Sequence, residues 1–396
     1  MPQLCTPEQC MGCGACMNAC PKGCITMEAD MEGFLHPKID TDLCVDCKRC
    51  QNVCPVLSAK RMEQMPVRSF AAHSKDADIV HNSSSGGVFT LFGREILNRG
   101  GVVIGAAFDG PDHVRHIVAQ NEAELCRLRG SKYVQSDIGT IYQQVKQFLK
   151  EDRCVLFSGM PCQVAGLKMY LGRDYEKLIC IDTICHSAPS PKVWNQFLLE
   201  TERAAGSPVI RANFREKQNG WEKYFLRLDL ENSEMIRYSG AENWYMQAFI
   251  QGMSTRKSCY SCKFKGENHF SDLTLGDFWG VRFANPECLN EDGTSLVLLH
   301  TPKGQKFFEL FQNDAVIQEV DFEKAIEANP AYNSPSEPHR SRSSFFKNLG
   351  TIPISEMVPQ YLVPTKKERV LGYIRGSFVY RALARIKQSM TTKGRL

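Results

Sequence analysis

Eighteen cysteines lie among the 396 residues, and ten of them come before residue 55. Cys10, Cys13, Cys16 and Cys20 follow the spacing C-x2-C-x2-C-x3-C and lead into Pro21; Cys44, Cys47, Cys50 and Cys54 repeat it and lead into Pro55. Three evenly spaced thiolates wrap one corner of a cubic four-iron cluster, and the fourth ligand has to arrive from elsewhere. In paired runs of this kind the fourth cysteine serves the other cluster. The spacing therefore assigns Cys10, Cys13, Cys16 and Cys54 to one cluster, and Cys20, Cys44, Cys47 and Cys50 to a second. A zinc site with four thiolates is the alternative, but it needs neither a third evenly spaced cysteine nor a fourth before proline, twice over. Cys5 and Cys24 are left without a role.

This first module resembles the two-cluster bacterial ferredoxins over roughly residues 5–57. A short helix after each cysteine loop would carry the crossing ligand. Residues 25–40 read as two short strands around a turn at Glu32 and Gly33. So small a unit has little core, and its clusters are expected to supply much of its folding energy.

Three further groups of residues can do chemistry. The first is Ser83, Ser84, Ser85, Gly86 and Gly87, with Thr90 just inside the helix that follows. Small residues at a helix start expose backbone N–H groups that suit phosphate; a simple capped loop is the alternative, and no G-x-G-x-x-G is present. Arg129, Lys132 and Tyr133, in RGSKYVQS, offer positive charge and a stacking ring to a flavin nucleotide, or are plain surface residues. The second group is Cys162 after Gly159-Met160-Pro161, Cys185 in DTICHSAPSP, and the pair Cys259 and Cys262. Four thiols from three distant places can converge on a third cluster, or they are buried free cysteines beside half a zinc knuckle. The third is DLTLGDFWG, where Asp277 either faces a flavin ribityl or ring nitrogen or shapes a turn. His186, beside Cys185, is the candidate proton donor; His73, His81 and Asp109 are weaker ones.

The elements that must position these groups alternate. GVVIGAAFD, CVLFSGM and LICIDT read as apolar strands, each separated from the next by a helix, which argues for an α/β domain with a largely parallel or mixed sheet. VIRANFR, KYFLRLDL and MIRYS read as a small antiparallel insertion. The expected fold class is an α+β ferredoxin-like two-cluster module fused to an α/β flavoprotein domain. The expected boundaries are 1–58 for the module, 59–66 for a linker, 67–345 for the catalytic domain and 346–396 for a helical extension containing GYIRGSFVYRALARIKQ.

Composition narrows the function classes. A formal charge of +4 and the lack of an aromatic-studded basic stripe argue against a nucleic-acid partner. No apolar leader opens the sequence and no stretch is long enough to span a bilayer, so a cytoplasmic protein without a transmembrane segment is expected.

The stretches SSSGGVFT, RGSKYVQS, FSGMPCQVAGL, DTICHSAPSP and SCYSCKFKG with DLTLGDFWG together resemble the beta subunit family of the coenzyme F420 (deazaflavin) hydrogenases and dehydrogenases, over about residues 66–340. Relatives in that family include the plant enzyme that reduces the 7-hydroxymethyl group of chlorophyll a. The resemblance implies FAD, held by the Ser84–Thr90 loop and Lys132, and a four-iron cluster on Cys162, Cys185, Cys259 and Cys262. It implies an oxidoreductase that passes electrons between one-electron carriers and an organic two-electron substrate; a non-catalytic relay subunit is the alternative. Expected partners are soluble ferredoxin or another redox protein, and a small organic substrate or a deazaflavin or nicotinamide cofactor. A homodimer is compatible with all of this. The family does not fix the substrate.

Overall fold

A computed structural model describes residues 2–58 and 65–364. The N-terminal module pairs β1 (Ile25–Ala29) with β2 (Leu35–Ile39) in an antiparallel hairpin. The helices Ala15–Ala19 and Arg49–Asn52 each end just before a fourth cysteine, Cys20 or Cys54. Most of the expected 59–66 linker lies outside the described residues, as does the segment 372–388.

The large domain is built on eight strands: β3 (Arg68–Ser74), β4 (Val102–Asp109), β5 (His113–Ala119), β6 (Val155–Ser158), β7 (Leu178–Thr183), then, after an insertion, β11 (Leu273–Asp277), β12 (Ser295–Leu299) and β13 (Ala315–Val320). The insertion is a three-stranded antiparallel sheet of β8 (Val209–Glu216), β9 (Phe225–Leu230) and β10 (Met235–Tyr238). The main sheet runs β13-β3-β12-β11-β7-β6-β4-β5. Only β11-β7, β7-β6 and β6-β4 pair in parallel, and the other four pairings are antiparallel. The sheet is therefore mixed, not largely parallel. The crossover helices at its centre enforce parallel pairing, whereas the hairpin and late strands at its edges need none. The edge strand β5 and the helix Glu122–Leu128 escaped the sequence reading, because HVRHIVA and EAELCRL are short and half polar.

Helix boundaries follow local chemistry. Pro161 starts the helix Pro161–Leu171, the Gln163 side chain accepts from the Met160 N–H at 2.9 Å, and Gly172 ends it at φ 70°. The helix Pro191–Ala205 is capped by Ser190, whose hydroxyl accepts from Val193 N–H at 3.3 Å. Strand alternation splits the core across the sheet. Val103 and Ala107 join the layer of the helix Val88–Asn98, while Val102 and Ile104 face the opposite layer. Met11 and Ala15 of the N-terminal module are part of that second layer.

The module is thus docked into the large domain. Its Glu32–Gly33 turn sits on the start of the helix Pro191–Ala205, so closely that a Cβ on Gly33 would lie 2.4 Å from the Lys192 Cβ. Arg342 forks onto both Glu32 carboxylate oxygens. The helix Arg342–Asn348 runs across the expected 345/346 boundary, and the helix Ile354–Leu362 packs with Tyr245 and Phe249. Residues 346–364 therefore belong to the large domain's packing. Among the described residues no helix is long and apolar enough to cross a membrane.

Trp194 is fully buried at the centre of the insertion's core, against Phe197, Phe214 and Tyr245, with its indole N–H donated to Pro111 O at 2.9 Å. Trp194→Ala is expected to cost about 3–5 kcal/mol, read as a lower urea midpoint. A shift below about 1 kcal/mol would mean that this core can collapse around the gap.

Candidate functional site

The N-terminal cysteines gather in two neighbourhoods. The Cys54 thiol lies in the electrostatic field of Cys10, Cys13 and Cys16, and the Cys20 thiol in that of Cys50 and Cys24. Gly12 and Gly14, at φ 67° and 71°, let the first loop fold around its sulfurs, and Gly12 N–H points at Cys10 Sγ at 3.4 Å. The two leftover cysteines are close at hand. Cys5 hydrogen-bonds both Cys10 and Cys54, which lowers the pKa of both ligand candidates and raises its own. Cys24 Sγ is 3.3 Å from Cys20 Sγ. Cys47 is exposed, whereas Cys10, Cys50 and Cys54 are buried.

In the large domain, β6, β7 and β11 are parallel neighbours, so their carboxyl ends share one edge. Ligands collect at that edge in open α/β sheets. Cys162 stands in the first turn of the helix after β6, Cys185 follows β7, and Asp277 ends β11. Cys259 and Cys262 reach the same place from the turn Lys257–Ser261, with Ala188 N–H and Phe264 N–H each 3.4 Å from a sulfur. Each thiol is pushed up first by burial; Cys162 then feels Cys185, Cys262 and Cys259, and Cys259 rises to about 11. Four such thiols cannot all ionise together without a cation among them. Cys162 also feels Cys13. Gly166, one helical turn after Cys162, is the reason they approach: a Cβ there would lie 3.1 Å from Cys13 Sγ.

Spacing separates these sets from a single-ion site. Among the described residues the one group with three ligand atoms within 4.8 Å of one another is Asp182, His269 and His300. A tetrahedral zinc–thiolate site would place its sulfurs about 3.8 Å apart, closer than any three thiols here. Nor does the Asp182 group suit an ion. The His269 and His300 rings stack at 4.9 Å and 8°, so their in-plane lone pairs lie in two parallel planes. Thr274 Oγ1 instead donates to Asp182 at 2.5 Å and meets His300 Nε2 at 2.7 Å, while His269 Nδ1 meets Asp182 at 2.7 Å. This is a buried hydrogen-bond network beneath the sheet edge.

Above that edge opens a cavity of about 530 Å³, a volume typical of cofactor sites. Its wall includes the Ser83–Thr90 loop, Arg129, Lys132, Tyr133, Asp277 and Trp279. Gly86 has its back to the sheet, where a Cβ would meet Ala72 O at 2.4 Å. Ser84 Oγ accepts from Ser131 N–H at 2.7 Å, and Thr90 Oγ1 from Arg129 Nε at 3.1 Å, which ties the two loops together. The first turn of the helix Val88–Asn98 opens on the cavity, with the Thr90 N–H donated back to Gly87 O at 3.0 Å. Lys132 behaves differently from the expectation. Its ammonium donates to the carbonyls of Arg127, Leu128 and Arg129. Burial pulls it down to about 7, while the three carbonyls favour the charged form. Asp277 too is engaged: Arg215 forks onto it at 2.9 and 3.0 Å, and Trp221 Nε1 donates to it at 2.8 Å.

Arg215 and Lys217 are the residues that sequence reasoning missed. Arg215 also donates to Ser84 O and lies over the Tyr224 and Trp279 rings; Lys217 donates to Val80 O, Ser85 O and Asp292 O. Two buried cations thus lie directly under the serine loop. Alternation along β8 points Arg215 outward, but a register shift between Asn213 and Glu216 turns it in. An arginine at the end of β8 and a lysine just past it were the available signal. His186 lies where this cavity meets a second one of about 760 Å³; its Nε2 is buried with no partner among the described residues, and burial lowers its pKa.

Comparisons with known proteins agree with this architecture. Residues 69–142 match the N-terminal part, and residues 152–325 the C-terminal part, of the coenzyme F420 hydrogenase/dehydrogenase beta subunit. A 4Fe-4S dicluster domain matches residues 9–57, and a second of that description residues 36–83. The chain belongs to the coenzyme F420 hydrogenase/dehydrogenase beta subunit family. Membership makes it an iron–sulfur oxidoreductase that relays electrons, with 4Fe-4S sites in its N-terminal module. No curated protein matches it. Among solved structures it is similar to a chain of the F420-reducing NiFe hydrogenase complex from Methanosarcina barkeri, at 17% identity and a TM-score of 0.46, over 68% of this chain and 90% of that one.

Two outcomes are expected. Arg215→Met strands the Asp277 carboxylate and should cost about 3–5 kcal/mol, read by chemical denaturation; an unchanged midpoint would show that Asp277 finds another partner. His116 and His300 are both held near 4, first by burial. Between about pH 4 and 6.5 the unfolded chain therefore binds protons that the folded one refuses, and stability falls as pH falls. The cost is about 1.4 kcal/mol per pH unit for each histidine. Denaturation midpoints at several pH values should show a shallower slope in His116→Gln, and an equal slope would exclude His116 as a contributor.

Proposed function

We propose that the cavity holds FAD and that the protein converts between one-electron and two-electron carriers. The observation that carries this reading is a cavity walled by the serine loop, Arg129 and Lys132 that reaches Cys185 of the large-domain thiol set. Arg129 and the helix start, both in the cavity wall, would hold the pyrophosphate, while Arg215 and Lys217 fix the serine loop from beneath through Ser84 O and Ser85 O. Tyr133 and Trp279 line the wall for the ring system. FAD, when bound, would supply the exchange of single electrons for hydride. Cys162, Cys185, Cys259 and Cys262 would ligate a third four-iron group.

The order of sites follows from exposure and contact. Cys20, Cys44, Cys47 and Cys50 would hold the outer group, where a soluble ferredoxin or another redox protein docks. Cys10, Cys13, Cys16 and Cys54 would hold the inner one, since Cys13 lies against Gly166 beside the third set. The second cavity, reached past His186, gives room for an organic substrate, a deazaflavin or a nicotinamide cofactor. There the buried Nε2 of His186 would donate a hydrogen bond or a proton.

Anaerobically purified protein is expected to carry one flavin and about twelve irons, four for each of three cysteine sets. Reduced ferredoxin, NAD(P)H and reduced deazaflavin, offered separately, should include one donor that bleaches the flavin band within seconds. Cys185→Ala should lose about a third of the iron and slow that bleaching at least tenfold. Absence of flavin, or bleaching at the wild-type rate in Cys185→Ala, would overturn the converter and leave a relay subunit.

A further inference from the structure

One buried charge is used neither by the cavity nor as a ligand. Arg256 is 1% exposed, among the largest fully buried side chains. Its Nε donates to Cys10 O at 2.7 Å, and its two terminal nitrogens donate to Leu35 O at 2.9 Å and Gln135 Oε1 at 3.1 Å. Its face lies 5.3 Å from the Phe34 ring centre. Leu35, Phe34 and Cys10 belong to the N-terminal module, whereas Arg256 itself stands in the loop of the third thiol set, accepting from Cys259 N–H at 3.0 Å. The His36 ring, itself 3.2 Å from Asp30, stands 3.4 Å from one terminal nitrogen, and among the described residues no carboxylate lies within ion-pair distance of the guanidinium. A buried cation without a counter-charge is costly. The anion that would offset it is a cluster with its thiolates, and such a group gains a further negative charge when it is reduced.

We propose that Arg256 is a positioning residue of the relay: it seats the Cys10 loop on the large domain and raises the reduction potential of the four-iron group that Cys10 helps to hold. The proposal rests on the ligand sets given under the proposed function. The physical reason is direct, because a fixed positive charge favours the reduced, more negative state, and nearby charge and hydrogen bonding set the potentials of such groups. Arg256 forms its contacts from the side facing the third set. Its field therefore acts on the inner group more than on the outer one, whose Cys47 is open to solvent.

The test uses full-length protein purified anaerobically, with iron assayed before a potentiometric titration followed by electron paramagnetic resonance. Wild-type protein without the N-terminal irons would sink the ligand reading itself. With those irons present, Arg256→Gln is expected to make reduction of one group at least tenfold less favourable, a downward shift of about 59 mV for a one-electron couple, and to leave the outer group unmoved. Arg256→Lys keeps the charge but not the fork, and should shift that group by less than half as much. Unmoved midpoints in a fully loaded Arg256→Gln protein would overturn the proposal, as would a Lys variant that shifts as far as the Gln variant. If Arg256→Gln fails to load iron, Gln135→Glu takes its place. It keeps an acceptor oxygen beside the guanidinium and adds the opposing charge, so the same downward shift is expected, and full iron with unmoved midpoints overturns the proposal.

Discussion

At Gly166 a loop of the N-terminal module and a helix of the large domain come so close that a single added carbon would lie 3.1 Å from Cys13 Sγ. Electron transfer falls off steeply with distance, so this approach is the constraint around which the rest is arranged. It requires a glycine on the face of the helix that also carries Cys162. It requires Met11 and Ala15 to give up their place in the module's own small core and pack under the large sheet. It also requires the hairpin turn to be pinned, which Ser190, Lys192 and Arg342 do by bonding Glu32 O, Met31 O and the Glu32 carboxylate. A module tethered only by its linker would meet none of these conditions.

Charge is distributed to match. The formal surplus over the whole chain is small, yet Arg215, Lys217 and Arg256 are buried cations that cluster around the cavity and the thiol sets. Burying cations is unfavourable unless anions or well-aimed carbonyls accompany them. Here Asp277 balances Arg215, carbonyls of the serine loop and the module receive the other donors, and the anions that would complete the balance are phosphate groups and iron-bound thiolates. An overall charge therefore says little about such a protein, because its electrostatics are local.

Legibility in the sequence divided along the same lines. The N-terminal thiol sets were readable because their ligands lie two or three residues apart, where covalent geometry leaves few alternatives. The third set was readable only in part. Cys162 and Cys185 follow apolar strands that end at a common edge, but the approach of Cys259 and Cys262 depends on the insertion and on no local pattern. Arg215 was hidden by a bulge, since one extra residue in β8 reverses which side chains face inward. Lys132 and Asp277 were picked out as groups that would contact a ligand, yet Lys132 closes a helix end and Asp277 anchors Arg215. A sequence shows that a charged side chain is present but not which neighbour reaches it first. Of the two sheet types the sequence left open, the mixed one is found for a related reason: the central crossovers are long and periodic, whereas the edge strands are brief and join by hairpins or late returns.

The docked arrangement also bears on how such a chain would work with partners. A carrier that must be recognised repeatedly needs an exposed, loosely packed site, and the Cys47 loop is open to solvent. A relay that must not lose electrons to solvent needs the opposite, and Cys10 and Cys54 are buried while Cys162, Cys185, Cys259 and Cys262 are half-buried. Placing both kinds of site in one small module, one on its outer side and one against Gly166, separates recognition from transfer. The outer site can then vary with the partner while the inner contact, which tolerates no side chain at residue 166, stays fixed.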